Sequence, residues 1–472
     1  MNMKVTFGVI VSTRGFFPAS LAIDGRKAIV DKLRKMGFGC VIVPQNATKG
    51  GAVETYQDAK ICAKLFSESR NKIDGVIVIL PNFGDEQAVV QSIALADLNV
   101  PILVQACDDV MKKMDLDHRR DSFCGKLSVC NNLCQYGIPF TNTKLHTCPV
   151  ESNEFTADVQ RFAAICRVVR GLRNARIGAI GARPEAFHTV RFSEKLLQAS
   201  GIKIVTVDLS EIFAAANALS DKSAQVKKKI AAIKAYGTIP KLIGDDKILH
   251  HAKLSVAIDN WMTAAECVAS AVQCWSSVQL NYGCGACLSM SMMGESGKPS
   301  ACEMDIAGAV SMLALQLASG EPSGFVDWNN NYDTDRDKCV ITHCSNYPKS
   351  FMGRDVEISN LDILGATLGE DKSFGAVKGK VAPGPMTFAR ISTDDVAGCI
   401  RAYVGEGTFI EHNVPTPGGI GVCQIPRLQQ LLDFLCQNGF EHHVAMNRSL
   451  VADALEEALG KYLGWDIYRH NA

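Results

Sequence analysis

VTFGVIVSTRGFFPASLAIDGRKAIVDKLRKMGFGCVIVP, residues Val5–Pro44, carries the pattern that decides the fold. Val5 to Ser12 is a short, continuously apolar run, as a strand buried on both faces requires. Ser20 to Gly37 reads as a helix, with a serine at its start and a glycine at its end, and Cys40 to Pro44 is a second strand. The unit then recurs through a helix around Tyr56 to Ser69, the strand Gly75 to Pro81, another helix and the strand Pro101 to Ala106. This rhythm predicts an α/β, doubly wound parallel sheet, a Rossmann-like domain over residues 1–170. Three strand exits are polar: Ser12-Thr13-Arg14, Asn82-Phe83-Gly84-Asp85 and Gln105. Open α/β sheets collect ligands beyond the carboxyl ends of their strands, so Asn82 and Gln105 are candidate substrate contacts.

A second Rossmann-like domain is expected over residues 171–322. It opens with RIGAIGARP at Arg176 and returns through IKIVTVDLS at Ile202. Gly178 and Gly181 lack the third glycine of a dinucleotide fingerprint and Pro184 intrudes, so this is an ordinary strand-to-helix turn. Leu254 to Leu280 reads as a long helix followed by a strand. Beyond Ser323 the strands become shorter and more alternating, as in VEISN, GAVKGKV, MTFARIS and CIRAYVGEGTF. That texture predicts an antiparallel, β-rich, barrel-like domain over residues 323–472, closed by an amphipathic helix from Arg448 to Trp465.

Forty-nine basic residues balance 49 acidic ones. There is no electrostatic footprint for nucleic acid or an anionic membrane. No run approaches the roughly 18 apolar residues a membrane helix needs. Most of the 18 cysteines lie in apolar runs, and Val5 to Val11 is a strand rather than a secretory core, so reduced thiols in the cytoplasm are expected.

The chemistry is expected from residues 301–344, ACEMDIAGAVSMLALQLASGEPSGFVDWNNNYDTDRDKCVITHC. Ile306, Val310, Leu313 and Leu317 share a helix face that Gly320 and Pro322 terminate, which puts Glu303 in the turn leading into that helix. Asp327 is expected at the exit of a strand Gly324 to Trp328, and His343 at the exit of Lys338 to His343. Downstream, Glu441-His442-His443 offers two more imidazoles, expected just before a helix. Two carboxylates and two imidazoles suit an intermediate divalent ion such as Mn²⁺. Taken singly, the same residues serve as helix caps, turn residues and hydrogen-bonded core histidines. Cys284-Gly-Ala-Cys287 has no second pair for a zinc ribbon and no thioredoxin-like surroundings, and is expected as a turn bordering the cleft. Neither a G-x-S-x-G elbow nor a phosphate-binding G-x-x-x-x-G-K-[ST] loop is present.

PSACEMDIAGAVSMLALQLASGEPSGFVDW, ITHCSNYP, VAPGPMTFARIS and EHHVAM together resemble the L-fucose isomerase and L-arabinose isomerase superfamily. The order Glu303, Asp327, His343, His443, with gaps of 24, 16 and 100 residues, is similar to that family's arrangement, and an aspartate in second place is the fucose-isomerase form. The resemblance implies an aldose–ketose isomerase. Glu303 and Asp327 are then ligands of Mn²⁺ or another divalent cation and also the acid and base. His443 is the imidazole ligand, and His343 matches a ligand in one branch. Arg14 resembles an arginine that contacts sugar hydroxyls across a subunit interface, which implies a homo-oligomer, trimer or hexamer, with small-molecule sugar as its partner. His442 is a further candidate substrate contact.

Proton transfer through a cis-enediol and a 1,2-hydride shift both fit these residues, and the resemblance favours the enediol. Two other classes accommodate part of the pattern: a sugar-binding or regulatory protein with two Rossmann-like lobes, and a metal-dependent hydrolase or aldolase with the same ligands.

Overall fold

The computed structural model describes residues 4–470. Two compact units emerge: the residues up to Arg170 together with Lys461–Leu463, and Gly171–Gly460 together with the residues from Gly464 onward.

The first unit is built on β1 (Thr6–Val11), β2 (Gly39–Ile42), β3 (Gly75–Leu80), β4 (Ile102–Ala106) and β5 (Thr141–Asn142). They form one parallel sheet in the order β2-β1-β3-β4-β5. Both faces are covered, and adjacent residues of β1 show how. Phe7 stacks on Phe162 of the helix Asn153–Arg173, with ring centroids 5.6 Å apart. A side chain at Gly8, pointing the other way, would meet the Phe66 ring of the helix Tyr56–Glu68 at 2.9 Å. The continuous apolar character of Val9, Ile10 and Val11 follows from this double burial. Thr55 and Asp58 form a reciprocal capping box at the start of the Tyr56–Glu68 helix. Tyr462, which belongs to this unit, hydrogen-bonds Thr141 Oγ1 at 2.8 Å beside β5.

The second unit contains two sheets. β6 (Arg176–Ile180), β7 (Lys203–Val207), β8 (Ala269–Val272) and β9 (Ser300–Ala301) run parallel in the order β7-β6-β8-β9. The larger sheet holds β10 (Ser323–Tyr332), β11 (Asp335–His343), β12 (Glu357–Asn360), β13 (Phe374–Lys380), β14 (Gly384–Asp394), β15 (Cys399–Ile410), β16 (Gly419–Gln424), β17 (His443–Asn447) and β18 (Asp466–His470). Its order is β12-β13-β16-β11-β10-β17-β14-β15-β18, and an added β15–β16 pairing closes six strands into a ring. Two pairings, β13–β16 and β15–β18, are parallel, so the sheet is mixed rather than purely antiparallel.

Between the two sheets lies the helix Ile306–Ser319, which contacts β6, β8 and β9 on one side and β10, β14 and β17 on the other. Every residue from Ile306 to Ala318 is buried. The single apolar face expected from Ile306, Val310, Leu313 and Leu317 is therefore one of several, as a helix flanked by two sheets demands. At the carboxyl end of the chain, Arg448 is tied to the carbonyls of Ala382 and Pro383, and helix begins only at Ala452. Among the described residues, no helix is long and apolar enough to cross a membrane.

Candidate active site

The turn from β9 into the central helix positions the first carboxylate. Glu303 and Met304 both take φ of 61°, a left-handed conformation that ordinary side chains seldom adopt. Asp305 then caps the helix by accepting from the Gly308 amide at 2.7 Å. Trp275 Nε1 donates to Glu303 Oε1 at 3.1 Å, leaving Glu303 Oε2 buried without a hydrogen-bond donor.

Asp327 lies in mid-strand rather than at a strand exit, because β10 runs on to Tyr332 and folds back through Asp333 into β11. Its register neighbours are His443 on β17 and Thr342 on β11. His343 ends β11, as expected. His443 opens a strand rather than preceding a helix: the apolar run after it pairs with β10.

These four residues converge. His443 Nε2 lies 3.1 Å from Glu303 Oε2, 3.5 Å from Asp327 Oδ1 and 3.4 Å from His343 Nε2. His343 Nε2 is 3.6 Å from Asp327 Oδ1. Asp327 Oδ1, like Glu303 Oε2, is buried without a donor. Ligand bonds of about 2.1–2.2 Å place neighbouring donors about 3.0–3.6 Å apart. The separations match, the two orphaned oxygens need a cation, and the mixed oxygen–nitrogen set suits a divalent ion.

Behind His443 stands a buried ionic cluster that the sequence reading did not include. His443 Nδ1 is 2.8 Å from Asp305 Oδ2, which fixes the Nδ1–H tautomer and leaves Nε2 free to face the carboxylates. Arg390 donates to both oxygens of Asp305 at 2.6 and 3.1 Å and to Glu441 at 3.1 Å, and Ser392 donates to Glu441 at 2.7 Å. Burial alone favours the neutral carboxyl, but the Arg390 charge and the His443 contact hold Asp305 well below the usual carboxylate range. Burial opposes the charged form of both imidazoles. The charges of Cys344, Asp327 and Glu303 outweigh it at His343, whose pKa rises to about 10, and the carboxylates Asp305 and Glu303 outweigh it at His443, which also rises. Both shifts favour the proton on the ring, against which a divalent ion competes.

A cavity of about 550 Å³ opens onto Glu303, Asp327 and His343. Leu361, Ile363 and Leu364 give it an apolar wall, and Lys378, paired with Asp362 at 2.7 Å, is its only lysine or arginine among the described residues.

His442 is half-exposed, with Nε2 3.9 Å from Asp327 Oδ1 and its ring 4.3 Å from that of His443. Arg14, Asn82 and Gln105 belong to the first unit, Arg14 and Asn82 just past β1 and β3 and Gln105 the penultimate residue of β4. Arg14 pairs with Glu86 and lies 4.3 Å over the Phe83 ring. Asn82 spends its polar atoms internally, donating to Thr13 Oγ1 at 2.8 Å and accepting from the Gly84 amide at 3.1 Å. Gln105 donates to the Cys148 carbonyl at 2.7 Å, and its Oε1 is buried without a donor. Cys284 and Cys287 are both buried, with Cys287 opening the helix Cys287–Glu295.

Two family models match the chain: the fucose/sulfoquinovose isomerase N-terminal domain over residues 8–173, and the L-fucose isomerase C-terminal domain over residues 341–470. Proteins named sulfoquinovose isomerase from Priestia aryabhattai and Priestia megaterium (strain ATCC 12872 / QMB1551) are each 24% identical over 404 residues, covering 83% of this chain and 84% of theirs. One of the same name from Alkalicoccus urumqiensis is 24% identical over 307 residues, 63% of this chain and 66% of its own.

Proposed function

Because the chain belongs to the L-fucose isomerase-like family of sugar isomerases, and is by that membership an aldose–ketose isomerase, we propose that it is metal-dependent and acts on a sulfonated or otherwise acidic hexose. Glu303, Asp327 and His443, with His343, hold the cation, Mn²⁺ by the character of the donor set. The observation that carries this reading is the pair of orphaned buried oxygens, Glu303 Oε2 and Asp327 Oδ1, facing two imidazole nitrogens beside a sugar-sized cavity. Bound there, a divalent ion stabilises the negative charge that develops on adjacent substrate oxygens.

The chain's own groups then move the protons. Trp275 donates to Glu303 Oε1 and fixes the orientation of the carboxylate, which exchanges a proton at carbon. Asp327, on the rigid centre of the larger sheet, serves the second position, and a cis-enediol lies between the two transfers. Asp305 keeps His443 in one tautomer throughout. Lys378 supplies the positive charge that an acidic substituent needs, exchanging its Asp362 partner for the substrate. The two parallel sheets act as Rossmann-like scaffolds, and the chain works as a cytoplasmic homo-oligomer whose Arg14 and His442 contact the sugar, while the fully buried Asn82 and Gln105 shape the ends of β3 and β4.

The test is incubation with Mn²⁺ and a panel of pentoses, 6-deoxyhexoses and sulfonated or carboxylated hexoses, with ketose formation as the readout. Conversion of an acidic hexose, abolished by chelation and restored by Mn²⁺, is expected. Metal bound with no sugar converted points instead to a hydrolase or aldolase.

A further inference from the structure

Four cysteines from separate stretches of the chain meet beside the carboxylate–imidazole cluster. Cys274 follows β8, Cys287 opens the helix Cys287–Glu295, Cys302 follows β9 and Cys344 follows β11. The sulfurs of Cys274, Cys302 and Cys344 all lie within 4.8 Å of one another, with Cys302 and Cys344 3.8 Å apart. Cys287 is buried in the same side-chain cluster as Cys274 and Cys302, against which Cys344 packs. Met290 Sδ, 3.9 Å from Cys302 Sγ, adds a thioether to the shell. None of the four is in a disulfide.

We propose that Cys274, Cys302 and Cys344, with Cys287 of the same buried cluster as the fourth ligand, form a second metal site, a closed thiolate centre for a thiophilic divalent cation, Zn²⁺ in chemistry. A tetrahedral zinc with bonds of about 2.3 Å sets its sulfurs about 3.8 Å apart, which the Cys302–Cys344 pair already meets. Cysteine as a small hydrophobe accounts for isolated buried thiols such as Cys62 and Cys166, but it gives no reason for four to gather at one point. The neighbour across the boundary fits as well. His343 Nδ1 lies 3.2 Å from Cys344 Sγ, so an imidazole whose Nε2 faces the carboxylates can donate its Nδ1–H to that thiolate. Each thiol that ligates releases one proton, and no electron transfer is involved. The sulfur set takes a borderline-soft ion, whereas Glu303 and Asp327 take a harder one, so the two sites sort their metals by donor chemistry.

The experiment is Cd²⁺ binding to the purified chain, read by elemental analysis and by the ultraviolet thiolate-to-metal charge-transfer band. Wild type and Glu303→Gln are both expected to show the band, because carboxylate ligands contribute nothing to it, and Glu303→Gln is expected to hold one tightly bound Cd²⁺ per chain. Cys302→Ser and, separately, Cys287→Ser are expected to weaken that binding at least tenfold and to cut the band. Zinc retained through purification of the Glu303→Gln chain gives the same result without Cd²⁺. Absence of a charge-transfer band in wild type overturns the proposal, whatever the variants do. So does a band that both serine variants leave intact, or a disulfide among the four in the purified protein.

Discussion

Asp305→Asn isolates what the buried ionic cluster does for the site. Asparagine keeps the size of the side chain and is as good a helix cap, so the bond to the Gly308 amide survives. What disappears is one negative charge between Arg390 and His443, in a place where all three side chains are almost completely buried. Removing one partner of a buried pair costs about 3–5 kcal/mol. Here Glu441 still faces Arg390 at 3.0 Å, which puts the loss at the low end, about 3 kcal/mol. For a unit of this size that lowers the unfolding midpoint by roughly 4–8 °C. The second effect is functional: once the carboxylate no longer selects the Nδ1–H form, His443 is less often presented through Nε2. Loss of such a supporting carboxylate weakens metal binding about 10–100-fold, or about 1.4–2.8 kcal/mol. Thermal unfolding and a Mn²⁺ titration of the same preparation read the two effects separately. A variant with wild-type Mn²⁺ affinity would refute the orienting role of Asp305, even if it were less stable.

Glu303→Gln is expected to lower kcat about 10²–10⁴-fold with the circular dichroism spectrum unchanged, because it removes a proton acceptor without changing shape; undiminished turnover would rule out the acid–base role. Lys378→Ala is expected to raise KM for an acidic hexose and leave kcat for a neutral sugar nearly unchanged, as checked by steady-state kinetics on the two sugars. His251 gives a pH prediction. Burial, reinforced by the Lys229 charge, lowers its pKa from 6.5 to about 3. Below about pH 6.5 the unfolded chain therefore takes up a proton that the folded one refuses, and stability falls with pH by about 1.4 kcal/mol per unit down to about pH 3. His251→Leu removes that slope, and denaturant titrations at about pH 6 and about pH 4 show whether it does.

The parts of the fold legible in the sequence were those with local signals. Val5–Ser12 and Gly75–Pro81 announced buried parallel strands by unbroken apolar runs, and Gly320 marked the end of the central helix with φ of 84°. β18 went unread because DIYRH is short and mostly polar, as a strand paired on one side is free to be. The strand expected over Gly324 to Trp328 stops short of Asn329, Asn330 and Asn331, whereas hairpin pairing with β11 carries it through them and leaves Asp327 in mid-strand. Arg390 did leave a signal. In MTFARIS, Met386, Phe388, Arg390 and Ser392 share one side at a period of two, and a charge in a buried register demands a buried counter-charge. Its partner Asp305 stood two residues after Glu303, where a capping aspartate is ordinary. The gathering of Cys274, Cys302 and Cys344, with Cys287 in the same buried cluster, had no local signature, since only the sheet topology brings those turns together.

Anomalous scattering from crystals grown with Mn²⁺ tests the central claim most directly. One peak is expected at about 2.1–2.2 Å from Glu303 Oε2, Asp327 Oδ1 and His443 Nε2 together. Manganese elsewhere, with those three side chains turned apart, would contradict the shared site on which the isomerase chemistry rests.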